Sequence, residues 1–239
     1  MLNRMVFLAA RTARSQAYAQ AMAAAGFAPS QVIIYGPDKG LLGQTGAHFV
    51  GTHTGGILVP DLSEPVEDTC RRHGWDTRFH AADNVNDPEL AQMVAAGAPS
   101  LVVFSAYGGQ IVKSALLEGA PLLHMHAGWL PDYRGSTTAY YSWLNGDGCA
   151  VTAFLLAAGI DTGPILLRKR YPPPPSGIDM DYQWDGAMRA DTLLAVLDHI
   201  RRTGALPPPL PQIEAEGRTY YTIHPLLKHL ALLQREGKR

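Results

Sequence analysis

The chain has 239 residues, enough to bury one sizeable core with a small appended segment but too few for several full domains. Its 20 basic and 21 acidic side chains leave a formal charge of −1, which removes the basic field that would draw a protein onto nucleic acid or anionic lipid. Only Cys70 and Cys149 are present and no apolar run reaches bilayer length, so a disulfide framework and a spanning helix are excluded, and a cytoplasmic protein acting on small molecules is expected.

Residues 5–10 form a continuous apolar run and read as a buried strand. Residues 15–26, Ala-rich and ended by a glycine, read as a helix, and 31–35 as a second strand. The stretch 36–60 is crowded with Gly, His and Thr and shows neither helical nor strand period; a long loop is expected there, a candidate substrate lid. Residues 64–74 predict a helix, 77–81 a strand, and 87–96 a helix with Pro88 in its first turn, where a missing N–H costs nothing. The apolar runs 100–105 and 121–126 lack alternation, as expected of central strands covered on both faces. A helix at 137–145 and two strands at 150–156 and 164–169 follow, and the separator between those strands puts Asp161 on a tight turn. Four prolines after Tyr171 predict extended chain, 181–203 a long amphipathic helix, and residues from 207 a tail.

Alternating strands and helices imply an α/β fold with a mostly parallel sheet and helices on both faces, in which ligands bind at the carboxyl ends of strands. The expected division is a catalytic domain over residues 1–205 and a C-terminal extension over 206–239 packing on it. No Gly-x-Gly-x-x-Gly or phosphate loop follows the first strand, so a Rossmann-like layout does not imply a dinucleotide.

His124 and His126 lie two apart at the end of one predicted strand, so their imidazoles face the same way. That spacing admits a metal site with Asp161 as third ligand, but no further paired ligand spacing supports one, and no metal is expected. It equally admits acid/base and electrostatic catalysis, in which Asp161 charges one imidazole and the other presents an N–H to a developing oxyanion. The plainest alternative is two histidines capping a strand end.

The surrounding run His124-Met-His-Ala-Gly-Trp-Leu-Pro-Asp-Tyr-Arg-Gly135, followed by Ile160-Asp-Thr-Gly-Pro-Ile165, resembles the formyltransferases that use 10-formyltetrahydrofolate. Their pattern is Asn-x-His-x-Ser-Leu-Leu-Pro-x-Tyr-Arg-Gly and then Asp-x-Gly-Pro about 35 residues on. The segment Ala106-Tyr-Gly-Gly-Gln-Ile111 is similar to the family's Ala-Tyr-Gly-Gln-Ile with one extra glycine, and the resemblance is close over residues 75–170.

The resemblance implies a Rossmann-like formyltransferase fold and 10-formyltetrahydrofolate as co-substrate. It implies catalytic roles for His126, for Asp161 as the aspartate that orients it and raises its pKa, and for His124, which stands where the family has asparagine. It places a pterin slot on Phe104, Ala106, Tyr107, Gly108, Gly109, Gln110 and Ile111, and on Ala157, Gly159 and Ile160. His124 is expected to stay neutral if it acts as a donor, because two adjacent imidazolium ions repel. Gly128 stands at the family serine and Trp129 at a leucine, which suggests a reshaped pocket. Arg134 is expected to pair with Asp147 or to hold its loop. Tyr133 and Arg134, with the aromatic pair Tyr182 and Trp184, are candidate acceptor-binding residues, the last two by stacking on a sugar or base, which the aromatic tail at Tyr220 and Tyr221 also suits.

The implied activity is transfer of a formyl group to the primary amine of a small acceptor, an amino sugar linked to a nucleotide and used in bacterial surface glycans. The alternative is a homologue that binds folate, or hydrolyses the formyl donor, without transfer. No nucleic-acid or membrane partner is expected, and a homodimer is a possible assembly.

Overall fold

The computed structural model describes residues 1–37, 53–213 and 216–235. A short 3-10 turn, Leu2–Arg4, leads into β1 (Met5–Ala10), α1 (Ala13–Ala24) and β2 (Gln31–Tyr35). The expected loop 36–60 lies partly outside the described residues. Its described end is a small hairpin, β3 (His53–Thr54) and β4 (Ile57–Leu58), turned by Gly55 and Gly56, both at positive φ as a tight two-residue hairpin requires. Then come α2 (Val66–Arg72), β5 (Thr77–His80), α3 (Pro88–Ala96), β6 (Leu101–Ser105), α4 (Ser114–Leu117) and β7 (Leu122–His126). The chain continues through β8 (Tyr133–Gly135), α5 (Thr138–Leu144), β9 (Cys149–Leu155), β10 (Ile165–Tyr171), α6 (Asp185–Thr203), β11 (Arg218–Tyr220) and α7 (Pro225–Arg235).

Seven strands form one sheet in the order β10-β9-β7-β6-β1-β2-β5. From β7 to β5 every neighbour is parallel, while β9 runs antiparallel to both β7 and β10. Chain order reverses between β1 and β6: the strands after β1 extend the sheet one way, and β6 starts the other half. That is the switch point at which the carboxyl ends of parallel strands leave a crevice.

The faces are set by strand alternation. Met5, Phe7 and Ala9 pack with Tyr18 and Met22 of α1 and with Leu193, Val196 and Leu197 of α6. Val6, Leu8 and Ala10 pack on the other side with Leu90 and Val94 of α3 and Leu116 of α4. Asp87 caps α3 by accepting from the Glu89 and Leu90 N–H groups, with Pro88 in the first turn as expected.

The predicted helix at 181–203 starts differently. Its first turn is a wider π-helical one, Met180–Trp184, capped by Asp179 accepting from Tyr182 N at 2.8 Å, and regular α-helix begins at Asp185. In the tail, β11 pairs in parallel with β8 as a separate two-stranded ribbon, and α7 lies against α5. Both cysteines are buried and free. No helix among the described residues is long and apolar enough to cross a membrane.

Candidate active site

A cavity of about 860 Å³ opens over the carboxyl ends of β6 and β7 and the first turn of α1. All ten residues assigned to the pterin slot line it: Phe104, Ala106, Tyr107, Gly108, Gly109, Gln110, Ile111, Ala157, Gly159 and Ile160. His124, His126 and Asp161 line it too, so the sheet brings together groups far apart in sequence.

His126 ends β7 and is buried. Its Nδ1 faces Asp161 Oδ2 at 3.3 Å, and its Nε2 lies 2.6 Å from the Tyr133 carbonyl oxygen. A carbonyl only accepts, so Nε2 carries a hydrogen and donates it in either charge state. The second hydrogen of the couple, when present, therefore sits between Nδ1 and Oδ2. The expected rise in the His126 pKa is not found: Asp161 does push it up, but burial outweighs the carboxylate and lowers it, which leaves that position free to take up a proton and return it. Asp161 is held at φ +52 on the turn between β9 and β10, its side chain 13% exposed, and its Oδ2 also accepts the Gly135 N–H at 2.8 Å.

Gly128 has a steric reason. A Cβ there would lie 2.6 Å from His126 Nε2 and 2.8 Å from the Tyr133 oxygen, so the bond between them occupies the space a serine side chain would need.

His124 donates from Nδ1 to the Phe104 carbonyl at 3.3 Å and stands edge-on between Phe104 and Phe154. Burial first, then the charges of Arg14, Arg189 and His126, push its pKa well below the ordinary imidazole value, so it is neutral near pH 7. With its hydrogen on Nδ1, neutral His124 carries a lone pair on Nε2. The expectation of a neutral imidazole agrees with this environment, whereas the expected N–H donor to an oxyanion needs the other tautomer, reached by giving up the long bond to Phe104. An asparagine amide offers both an acceptor oxygen and a donor N–H. His124→Asn is therefore expected to keep kcat within about tenfold of wild type, and His124→Ala to lose on the order of a hundredfold; equal kcat in wild type and His124→Ala would remove His124 from the chemistry.

The four candidate acceptor residues do not meet at the cavity. Trp184 is 1% exposed, part of the core, and donates its indole N–H to the Pro172 carbonyl at 3.1 Å, so its ring has no face left for a ligand. Tyr182 is 54% exposed and lies outside the cavity lining. Tyr133 and Arg134 are buried side chains away from the lining; Tyr133 donates to Asp147, and Arg134 donates to Gln212 Oε1 and the Ile213 carbonyl. The acid expected beside Arg134 thus serves Tyr133, and the arginine ties β8 to the tail. Trp184→Phe is expected to cost about 2 kcal/mol, a fall in Tm of about 6 °C, with no change in KM for any acceptor.

Sequence reasoning missed Arg14, Arg189 and Asp185, which line the cavity; Tyr220 and Tyr221 of the aromatic tail wall it. A cation just past the first strand at a switch point was readable for Arg14. The i, i+4 pair Asp185 and Arg189 on the inner face of a long helix was the only trace of the others.

An α/β sheet with a mixed apolar and polar cavity at its switch point and a buried histidine–aspartate couple defines a small-molecule site of the group-transfer type. The sequence profile of the formyl transferase family matches residues 53–176, and the chain belongs to that family. It is 34% identical over 168 residues to a methionyl-tRNA formyltransferase of Trichlorobacter lovleyi, a match covering 69% of this chain and 50% of the relative. The chain thus spans half the length of that relative. Among solved structures, a sugar N-formyltransferase from a Shewanella species superposes with a TM-score of 0.57 at 17% identity, covering 97% of this chain and 87% of the other. The HypX protein of Aquifex aeolicus, solved with tetrahydrofolic acid, does so with a TM-score of 0.54 at 14% identity, covering 93% of this chain and 30% of the other. These likenesses establish the fold.

Proposed function

We propose that this protein moves a formyl group from 10-formyltetrahydrofolate to the primary amine of a small acceptor, an amino sugar carried on a nucleotide. The observation that carries the reading is the His126–Asp161 couple, with one proton position between Nδ1 and Oδ2, set in a cavity whose other wall is the ten-residue slot. The slot fits a flat heterocycle: it runs along backbone, and nothing lies within 4 Å of where side chains on Gly108 and Gly109 would begin. About 860 Å³ is ample for a ligand of drug size. The formal charge of −1 supports a small acceptor over a transfer RNA, which calls for a basic face, and the fold shared with a sugar N-formyltransferase supports the amino sugar.

The formyl donor supplies an electrophilic carbon. On the protein's side, neutral His124 offers its Nε2 lone pair to an N–H of the incoming amine, and the couple takes the amine's proton into the gap between Asp161 and His126. The same proton then passes to the departing folate nitrogen, so one position serves as base and then acid. Residues 206–239 act in this reading as an extension of the catalytic domain that closes the acceptor side with Tyr220 and Tyr221.

One specific observation favours a second reading, folate binding without transfer: both ring nitrogens of His126 are engaged by the protein, so that ring has no N–H left for the oxyanion that transfer and hydrolysis would both develop. The test mixes purified protein and 10-formyltetrahydrofolate with nucleotide-linked amino sugars, with glycinamide ribonucleotide, or with no amine, and follows tetrahydrofolate release by absorbance. Release that depends on an amine is expected. Formate release without any amine would replace transfer by hydrolysis, and no release under any condition would leave a binding protein.

A further inference from the structure

Four charged groups besides the catalytic couple lie where the cavity passes α1 and α6: Arg14, Asp181, Asp185 and Arg189. Three of them have countercharges. Arg189 donates from Nε to Asp185 at 2.8 Å and also donates to the Met125 carbonyl. Asp181 pairs with Lys228 at 2.5 Å and accepts from the Tyr140 hydroxyl. Arg14 differs. Its Nε is shut off from solvent with no hydrogen-bond partner, and among the described residues it has no ion pair. Burial first and Arg189 second lower its hold on its proton; the Asp185 carboxylate works the other way, but it is hydrogen-bonded to Arg189 and gives Arg14 no hydrogen bond.

A half-buried guanidinium whose Nε is cut off from solvent with no hydrogen bond is costly to a fold. A guanidinium is also the side chain best matched to a carboxylate or phosphate, because its fork donates two parallel hydrogen bonds. Arg14 lines the same cavity as His124, and its charge ranks next after burial among the causes that keep His124 neutral, so an anion on Arg14 lies within electrostatic reach of the couple's neighbour.

We infer that Arg14 is a receptor for an oxyanion, a carboxylate or a phosphate, carried by the acceptor, so that the amine formylated here belongs to an anionic molecule and is held by its acidic group. The word acceptor rests on the transfer reading above; the oxyanion site does not.

The first measurement is Tm in sodium phosphate, sodium acetate and sodium chloride at matched ionic strength, without folate. An oxyanion at ten times its Kd is expected to raise the wild-type Tm by about 4 °C over chloride, and the salt that does so names the group. Arg14→Met, which removes the unpaired charge and keeps the length, is expected to melt about 3 °C higher than wild type without ligand and to gain nothing from either oxyanion. No oxyanion-specific shift in wild type, or the same shift in Arg14→Met, overturns the inference. Labelling of wild-type Arg14 by phenylglyoxal, read by peptide mass spectrometry, needs no variant to fold: tenfold slower labelling in phosphate is expected, and unchanged labelling overturns the site. In the transfer assay, an amine bearing a free acid is expected to outperform its neutral ester at least tenfold in kcat/KM. Equal use of both overturns Arg14's role while transfer stands; no transfer to either, with Tm protection intact, removes the transfer reading and leaves the oxyanion site.

Discussion

Asp161→Asn is expected to lower kcat for formyl transfer on the order of a thousandfold while folate affinity stays within about threefold of wild type. The reason lies in one atom. Asp161 Oδ2 both accepts the Gly135 N–H at 2.8 Å and faces His126 Nδ1 at 3.3 Å, while the other ring nitrogen is fixed as a donor by the Tyr133 carbonyl. An asparagine oxygen in that place satisfies Gly135, but requires His126 to be protonated on both nitrogens with no countercharge, which its burial forbids. An asparagine nitrogen there would point its hydrogens at the Gly135 N–H. Neither arrangement holds a transferable proton. The cavity wall proposed to hold folate, along residues 104–111 and near 157–161, is untouched by the change, so binding is expected to survive. Single-turnover kinetics and a folate titration of the variant separate the two effects, and a near-wild-type kcat would remove Asp161 from proton transfer.

Gly135→Ala is expected to cost about 4 kcal/mol, a fall in Tm of about 12 °C, and to reduce kcat at least tenfold even well below the new Tm. Gly135 sits at φ +96, and a Cβ there would collide with the Tyr220 carbonyl oxygen and lie 3.0 Å from its carbon. The clash is with backbone and cannot be relieved by a rotamer. It drives apart the pairing of β8 with β11 and displaces the N–H that holds Asp161. Thermal melts and kcat at low temperature test the two parts; a variant as stable and as active as wild type would mean that the ribbon does not hold the site.

The sheet was legible because its central strands are short apolar runs covered on both faces, such as Met5–Ala10, and because Asp87 and Pro88 mark a helix start by local chemistry. That His126 faces Asp161, and that both share a cavity with the residues around 104–111 and 157–160, was legible through motif spacing. The ribbon was not: Tyr133–Gly135 and Arg218–Tyr220 are three residues each, with no period to read, and their pairing is a tertiary fact. Tyr182 and Trp184 were misjudged as a pair, although two positions apart on a helical turn put side chains on different sides, and here one is core and the other exposed. Arg14 escaped notice because an arginine in a first helical turn looks like surface until its surroundings are known.

The ribbon that carries Gly135 has a consequence for how the protein loses function. It joins two distant stretches of chain by a few hydrogen bonds, outside the seven-stranded sheet, whereas the central strands of that sheet, such as β1 and β6, are buried on both faces. Its amides should exchange with deuterium through a local opening far less costly than global unfolding, and each opening releases Asp161 from Gly135. Mild denaturant should then extinguish turnover while far-UV circular dichroism is still native, so that the protein goes silent before it unfolds.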